Sequence, residues 1–243
     1  MSEADNVLRR ALGYPYRPGQ RPFVLFQNHV ADLADLEVEF NTNGRVTLIA
    51  YGANTSSGPL VDKLMDTPEP ILVEPTWLEG FDAVYSAHIS SYGAVPATLQ
   101  SSPGTSIRAA LVHLTSEQVE RLSASEPNYD LVPSWGCRFD QGPGIGEMQA
   151  YLSRHGCLAL EGSAIAVAGV EAKGRRLPAM TEREALEWVR DLLCPELSLE
   201  DFILTSVADP EVAMARTALA VQAKEPSLPL LDGAEATEGE AGE

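Results

Sequence analysis

Basic residues are scarce in this chain. Lysine and arginine together number 17, against 35 aspartate and glutamate residues, and the formal net charge is −18. Binding to a nucleic-acid backbone or to an anionic lipid surface depends on clustered positive charge. We therefore expect no nucleic-acid partner and no membrane partner.

Long apolar runs and the parts of an export signal are also missing from the sequence. No apolar segment reaches the roughly 20 residues that a helix needs to cross a bilayer. Residues 1–6, Met-Ser-Glu-Ala-Asp-Asn, have neither the basic start nor the apolar stretch of a signal peptide. These absences predict a cytoplasmic protein.

Cysteine and histidine patterns are sparse as well. The three cysteines form no CxxC pair, which is typical of reduced thiols in a cytoplasmic protein. The four histidines show no spacing typical of metal ligands. We therefore expect neither a metal ion nor a cofactor, and the sequence leaves the oligomeric state open. These residues are Cys137, Cys157, Cys194, His29, His88, His113 and His155.

The apolar content, 44% of the chain, is sufficient for one substantial core. We interpret residues 1–44 as an N-terminal arm with strands that pack on this core. Residues 45–223 are interpreted as a single domain with a C-terminal extension. Residues 224–243 are rich in small and acidic side chains, which cannot bury apolar surface, so we predict a disordered acidic tail.

Strand-like runs and helix caps alternate along the chain. Thr115 with Gln118, and Thr181 with Glu184, form capping boxes that open helices. The alternation predicts an α+β fold, either a mixed β-barrel or a strongly curved sheet, with flanking helices. The predicted strands are 23–26, 33–40, 45–51, 81–89, 95–99, 106–114, 164–170 and 202–207, with a turn at 101–104. The other predicted helices are a short one near the N-terminus, 59–65, 144–155 and 210–223.

Two short segments carry candidate chemistry. Tyr51-Gly52-Ala53-Asn54 directly follows a predicted strand, and a tight turn there exposes backbone N–H groups that can hold a carboxylate or an oxyanion. Glu126 ends a predicted helix just before Pro127, with Tyr129 beside it. Taken singly, the first segment is better interpreted as a plain turn, and a carboxylate at a helix end is usually a solvated surface charge.

Taken together and in this order, the segments resemble the γ-glutamylcyclotransferase family. That family has a Tyr-Gly-Ser-Asn loop after its first strand. A Pro-Gly turn, a strand, a helix opened by Leu-Thr, and then Glu-Gly and a Tyr follow downstream. The matching residues here are 51–54, Pro103-Gly104, 107–114, Thr115, Glu126 and Tyr129. The resemblance covers residues 51–129.

The resemblance implies a lyase that cleaves a γ-glutamyl amide to 5-oxoproline and a free amine or amino acid. In such a reaction the substrate's own α-amine attacks its γ-carbonyl. By this resemblance Glu126 is the general acid and base, and Tyr51, Gly52, Ala53, Asn54 and Tyr129 bind the small-molecule γ-glutamyl substrate. No metal or cofactor is implied.

Three departures from the family pattern keep other functions open. Ala53 stands where the family has Ser, Ser123 stands where a Leu-Asp pair is common, and Pro127 replaces a Gly. The alternative is a non-catalytic small-molecule-binding or structural protein on the same scaffold, and an unrelated α+β hydrolase is a third interpretation. Whether Glu126 faces a cavity floored by the loop separates the first two. Residues 133–146, rich in glycine and proline, are predicted to form a long loop over the pocket.

Overall fold

The computed structural model describes residues 2–27, 29–36, 40–64, 67–134, 137–140, 142–143, 148–220 and 224–225. Apart from residues 224–225, the predicted acidic tail lies outside the described residues. Among the described residues, no helix is both long and apolar enough to span a membrane. The helices are α1 (Glu3–Leu12), α2 (Ser57–Leu64), α3 (Ser116–Ala124), α4 (Glu182–Leu193), α5 (Leu199–Ala208) and α6 (Pro210–Ala220).

Strands form most of the core scaffold. They are β1 (Phe23–Phe26), β2 (His29–Asp32), β3 (Val46–Ala50), β4 (Ile71–Tyr85), β5 (Ala97–Leu114), β6 (Tyr129–Ser134), β7 (Arg138–Phe139), β8 (Gly142–Pro143), β9 (Met148–Ser153), β10 (Cys157–Leu160), β11 (Ser163–Ala164), β12 (Ala166–Val167), β13 (Ala172–Lys173), β14 (Ala179–Met180) and β15 (Lys224–Glu225). Strands β10, β11 and β15 form a small second sheet.

The main sheet is built around the long β4–β5 hairpin. Its hydrogen-bonded order is β14-β12-β4-β5-β3-β9-β6, and β1, β7 and β13 pair onto this path. The β3–β9 and β12–β14 pairs are parallel, and the other pairs are antiparallel. Over the described residues the two ends of the path, β14 and β6, do not pair with each other. The α+β class and the mixed sheet with flanking helices are therefore confirmed, and the sheet is open rather than a closed barrel.

The two faces of the sheet bury separate apolar clusters. In β3, Leu48 faces the cluster that contains Leu60 of α2 and Leu122 of α3. The next residue, Ile49, faces the opposite cluster, which contains Phe202 of α5. This alternation follows from the two-residue period of a strand, and each large apolar side chain fully buried this way contributes about 1.5–3 kcal/mol.

Strand β9 determines where the two candidate segments lie. Ile49 of β3 pairs with Ala150 in parallel, and Tyr129 of β6 pairs with Ser153 in antiparallel fashion. Strands β3 and β6 run in opposite directions on either side of β9. The last residue of β3 and the first residue of β6 therefore lie at the same end of β9. The loop after β3 and the segment before β6 are brought together there.

Two predicted elements have the wrong type. Residues 148–153 form β9 rather than part of the helix predicted over 144–155, and 144–147 lie outside the described residues. Residues 202–207 lie in α5 rather than in a strand. Helix α5 begins because the Ser198 side chain accepts a hydrogen bond from the Asp201 N–H. A short apolar run does not by itself separate a buried helix from a strand.

The strand predicted over 33–40 is also wrong. The strand that pairs with β1 is β2, and a 3-10 turn over Leu33–Asp35 follows it. The Asp32 side chain accepts a hydrogen bond from the Ala34 N–H at 3.0 Å, which stabilises the turn in place of an extended chain. Residues 37–39 lie outside the described residues.

The turn predicted at 101–104 is a bulge inside the continuous strand β5. The register of β4 against β5 shifts between Glu79 and Phe81, opposite this segment. Pro103 lacks a backbone donor and Gly104 has φ of 84°, and both properties are tolerated where ladder pairing is interrupted. Over the described residues, the remaining predicted helices are confirmed, namely those near the N-terminus, over 59–65, after Thr115, after Thr181 and over 210–223.

A buried ion pair joins β4 to the segment after β13. The Asp82 side chain is fully buried, and Arg175 donates to it from Nε at 2.9 Å and from Nη2 at 2.8 Å. The same Nη2 donates to the Val170 carbonyl at 3.0 Å. Removing one partner would leave the other charge buried without compensation.

We expect Arg175→Met to lower the free energy of unfolding by about 3–5 kcal/mol, because Asp82 would be left as an unpaired buried charge. Urea denaturation followed by circular dichroism measures the change. The control is Arg138→Met, which removes an exposed pair with Glu79 at 3.6 Å and is expected to change stability by less than about 1 kcal/mol. Equal losses in the two variants would contradict this prediction.

Helix α4 begins with a buried acid. Glu182 is 4% exposed, and its Oε1 accepts a hydrogen bond from the Val95 N–H at 2.7 Å. Its Oε2 accepts no hydrogen bond of good geometry among the described residues, although the nearby Tyr85 side chain lowers the pKa of this carboxyl. Burial raises the pKa of Glu182 well above its usual value, by more than the Val95 hydrogen bond lowers it. On the same helix, hydrogen bonds from Thr181 lower the pKa of Glu184, which is exposed.

We expect Glu182→Gln to stabilise the protein relative to wild type, increasingly so as the pH rises above 4.5, the ordinary pKa of a glutamate. The folded state retains a proton that the unfolded state has released, so wild-type stability falls as the pH rises. Unfolding free energies measured from pH 4 to pH 8, on the order of one point per unit, give this difference directly.

Glu184→Gln serves as the control with the opposite sign. The folded-state pKa of Glu184 is depressed, so its contribution to stability is present above the unfolded-state pKa and is lost as the pH falls through the folded-state pKa. A pH-independent difference between Glu182→Gln and wild type would contradict the buried, protonated state of Glu182.

Candidate active site

The loop after β3 floors a cavity of about 310 Å³. Tyr51, Gly52, Ala53 and Asn54 all line this cavity. A Cβ atom placed on Gly52 would lie 2.6 Å from the Tyr14 hydroxyl oxygen. Glycine therefore lets the loop and the Tyr14 ring approach this closely.

The Glu126 carboxylate lies at the same cavity and is held by two donors. Asn54 Nδ2 donates to Glu126 Oε1 at 3.1 Å, and Lys63 Nζ lies 2.6 Å from the same oxygen. Lys63 Nζ also donates to Asn54 Oδ1 at 2.9 Å, so the three side chains form a closed triangle. The side chains of Lys63 and Glu126 are only 21% and 16% exposed. The structure thus brings the predicted acid and the predicted loop into direct contact.

Helix α3 delivers Glu126 to this position. The Thr115 side chain and Gln118 form the capping box that fixes the start of α3. Ser125 ends the helix, and the Tyr129 N–H then donates to the Glu126 carbonyl at 3.1 Å. Pro127, between them, carries no donor, and its carbonyl accepts from Arg154 at 2.9 Å. The proline therefore lies within an ordered turn that leads directly into β6.

Buried tyrosine hydroxyls surround the acid. The Ala97 N–H donates to the Tyr14 hydroxyl at 2.7 Å, and the Tyr129 hydroxyl donates to the Ala97 carbonyl at 2.8 Å. The Tyr51 hydroxyl donates to the backbone carbonyl of Tyr151. Burial raises the pKa of Tyr51 and of Tyr129 well above the usual value, so both remain neutral hydroxyls. The five tyrosines that line the cavity are Tyr14, Tyr51, Tyr92, Tyr129 and Tyr151.

His88 forms a neutral part of the wall. Burial, and after it the charge of His155, lowers the pKa of His88 to about 3. Its Nδ1 lies 2.6 Å from Ser86 Oγ, and its ring meets the Tyr129 ring edge-on with centroids 5.4 Å apart. Ser86 is fully buried and its Oγ also contacts Ser153, so this pair is not placed as a nucleophile and base facing the cavity.

Arg10 of α1 lies at the mouth of the cavity. Its guanidinium lies over the Tyr92 ring, 5.4 Å from the centroid, and 3.6 Å from the Asp62 carboxylate. Arg10 and Asp62 are both more than half exposed, whereas Lys63 is mostly buried. The mouth is therefore polar and the interior has one closely paired cation and anion.

Sequence reasoning missed three of these residues and misplaced one loop. Lys63 could have been predicted as a cavity residue, because it lies on the helix that directly follows the loop. Tyr14 and His88 reach the cavity only through packing between segments that are distant in sequence. The loop predicted over 133–146 does not cover the pocket in the part that the structure describes. Its described residues form the end of β6, β7 and β8, and none of them lines the cavity.

Comparisons with known proteins give weak likenesses. No protein-family model matches the chain, and no curated protein matches it. A solved γ-glutamyl cyclotransferase is 14% identical, covers 79% of this chain and 94% of its own, and has a TM-score of 0.39. An uncharacterized protein of Homo sapiens is 13% identical, with coverage of 76% and 90% and a TM-score of 0.39. A protein of Arabidopsis thaliana is 19% identical, with coverage of 47% and 72% and a TM-score of 0.36.

We expect Gly52→Ala to lower the free energy of unfolding by about 1–3 kcal/mol, because the added methyl group displaces the Tyr14 hydroxyl from Ala97. Thermal and urea unfolding measure the loss. Gly58→Ala in α2 is the control, since a Cβ there meets no atom within 4 Å. It is expected to stabilise the protein by up to about 1 kcal/mol. Changes of the same sign in the two variants would contradict the close approach of Tyr14 to the loop.

Proposed function

We propose that this protein cleaves a γ-glutamyl amide to 5-oxoproline and a free amine or amino acid, with Glu126 as general acid and base. The observation that supports the proposal most directly is the 3.1 Å hydrogen bond between Asn54 and Glu126. It joins the two segments whose sequence resembles the γ-glutamylcyclotransferase family, and both segments line one cavity. A surface carboxylate with no role at the loop would not be expected to form a hydrogen bond with Asn54 inside the cavity.

The proposed reaction needs no nucleophile from the protein. The Glu126 carboxylate takes a proton from the substrate's α-ammonium group, and the resulting amine nitrogen bonds to the γ-carbonyl carbon. The bond from that carbon to the amide nitrogen then breaks, and Glu126 returns a proton to the departing nitrogen. The α-nitrogen loses its second proton as it bonds to the carbonyl carbon, and this proton also passes to the leaving amine, so no water is consumed and the carboxylate is regenerated.

The rest of the cavity is suited to ring closure. Backbone N–H groups of the turn at Gly52 and Ala53 are candidates to polarise the γ-carbonyl as its oxygen gains charge. The tyrosine wall limits the exposure of the Glu126 side chain to 16% and carries no charge of its own. Holding the amine against the carbonyl is a large contribution in such reactions, about 7–11 kcal/mol in favourable cases.

One observation favours the second candidate, a non-catalytic small-molecule-binding protein on the same scaffold. The Glu126 carboxylate is already paired with Lys63 at 2.6 Å, so the Lys63 ammonium occupies an oxygen that the catalytic proposal needs for the substrate's proton. The two candidates make different demands on that pair. A catalyst must release Glu126 when substrate arrives, whereas a binding protein can keep the pair intact.

We expect Glu126→Gln to reduce 5-oxoproline release by about 100-fold or more, because the amide cannot exchange protons with the substrate. Purified protein with a panel of γ-glutamyl amino acids and γ-glutamyl amines, followed by chromatography of 5-oxoproline, measures it. The control is Glu120→Gln, an exposed carboxylate of α3, which should leave turnover unchanged. Turnover that is unchanged in Glu126→Gln would remove Glu126 from the mechanism, and substrate binding without turnover in wild type would favour the second candidate.

A further inference from the structure

The Lys63 ammonium is a group in the cavity that the acid and base chemistry of Glu126 does not use. It lies on α2, directly after the loop, and its Nζ contacts Glu126 Oε1 at 2.6 Å and Asn54 Oδ1 at 2.9 Å. Arg10, the other lysine or arginine among the described residues that line the cavity, lies at the mouth against Asp62. Lys63 is therefore the cation placed next to the candidate acid.

The charges of this ion pair match those of an α-amino-acid head group. Such a head group carries an ammonium and a carboxylate on one carbon atom, and Lys63 and Glu126 carry one charge of each sign at hydrogen-bond distance. When the pair opens, the ligand's ammonium can contact Glu126 and its carboxylate can contact Lys63. One internal ion pair is thereby exchanged for two pairs with the ligand, and no unpaired charge remains in the mostly buried site.

Asn54 is placed to guide this exchange. Its Oδ1 accepts from Lys63 and its Nδ2 donates to Glu126, so its amide touches both charged groups. The amide can keep either contact while the direct contact between Lys63 and Glu126 is lost. The surrounding tyrosines are neutral and His88 is uncharged at ordinary pH, so they do not compete for either ligand charge.

We infer that Lys63 binds the α-carboxylate of the ligand, so that the cavity selects compounds with a free α-amino-acid head group and arrival of that carboxylate releases Glu126 from its ion pair. For the reaction, this inference rests on the proposed cyclotransferase function. As a statement about binding it can be tested without turnover.

The kinetic test compares two matched substrates. One is a γ-glutamyl amide with a free α-carboxylate, and the other is the same compound with an α-carboxamide. Wild type is expected to prefer the carboxylate by about 10-fold or more in kcat/KM, as a charge-assisted contact of about 1.5–3 kcal/mol requires. In Lys63→Met the preference is expected to fall to about 1, through a higher KM for the carboxylate compound, and Lys63→Arg is expected to restore part of it.

The control variant is Lys173→Met. Lys173 lies 3.6 Å over the Trp77 ring, outside the cavity, so its loss removes one lysine charge without touching the site. It is expected to keep the wild-type preference. If Lys63→Met slows both substrates by the same factor, Lys63 only holds Glu126 in place and the inference is overturned.

A binding test separates this inference from the proposed function. Calorimetry with L-norleucine, which cannot cyclise or lose an amine, is compared with L-norleucinamide and with hexanoate. Wild type should bind norleucine at least about 10-fold more tightly than either, and Lys63→Met should lose the preference over the amide. That result without any release of 5-oxoproline overturns the proposed function and supports the inference. Equal or undetectable binding of the three compounds overturns the inference, whatever the turnover.

Discussion

The parallel pairing of β3 with β9 is the contact on which the candidate site depends. Thr47, Leu48 and Ile49 pair with residues 148–150, and β6 pairs with the other edge of the same strand. The register of these two ladders determines where along β9 the loop after β3 and the turn before β6 leave the sheet. A slip of one residue in either ladder would turn alternate side chains to the opposite face and would separate Asn54 from Glu126.

In the interior of the cavity the charge is carried by Lys63 and Glu126. The buried tyrosines and His88 around them are uncharged, because burial disfavours their charged forms. The Ala97 N–H donates to the Tyr14 hydroxyl, and the Ala97 carbonyl accepts from the Tyr129 hydroxyl. Two rings from distant parts of the chain are therefore held by one residue of β5. His88 is held uncharged against Ser86. In the interior of the cavity the Lys63–Glu126 pair therefore dominates the local field, since low polarity strengthens each remaining electrostatic interaction, whereas the Arg10–Asp62 pair lies at the exposed mouth.

Local signals predicted part of this structure and long-range packing decided the rest. The capping boxes at Thr115 and Thr181 place two helices correctly, because both partners of each box lie within one turn. The sequence predicts a helix where β9 lies. The burial of β9 residues is decided by pairing with β3 and β6, which are distant in sequence, so the local pattern does not indicate a strand. In the site, the order of two sequence motifs predicts that the loop at residues 51–54 lies next to Glu126, as it does in the structure. Tyr14 could not be foreseen, since no spacing rule connects it to the loop.

The bulge of β5 around Pro103 and Gly104 divides the long hairpin into two halves with separate partners. The half of β5 after the bulge pairs with β3. The half before it, which contains Ala97 at the cavity, pairs with the part of β4 that also pairs with β12. Four residues of β5, 102–105, stand outside the ladder with β4, and of these Pro103 and Gly104 are exposed. A Cβ atom placed on Gly174 would collide with the Gly104 carbonyl oxygen, so the segment after β13 packs closely against the bulge. The hairpin therefore changes register at a point where a neighbouring segment limits the space, and a side chain at Gly174 would disturb both halves at once.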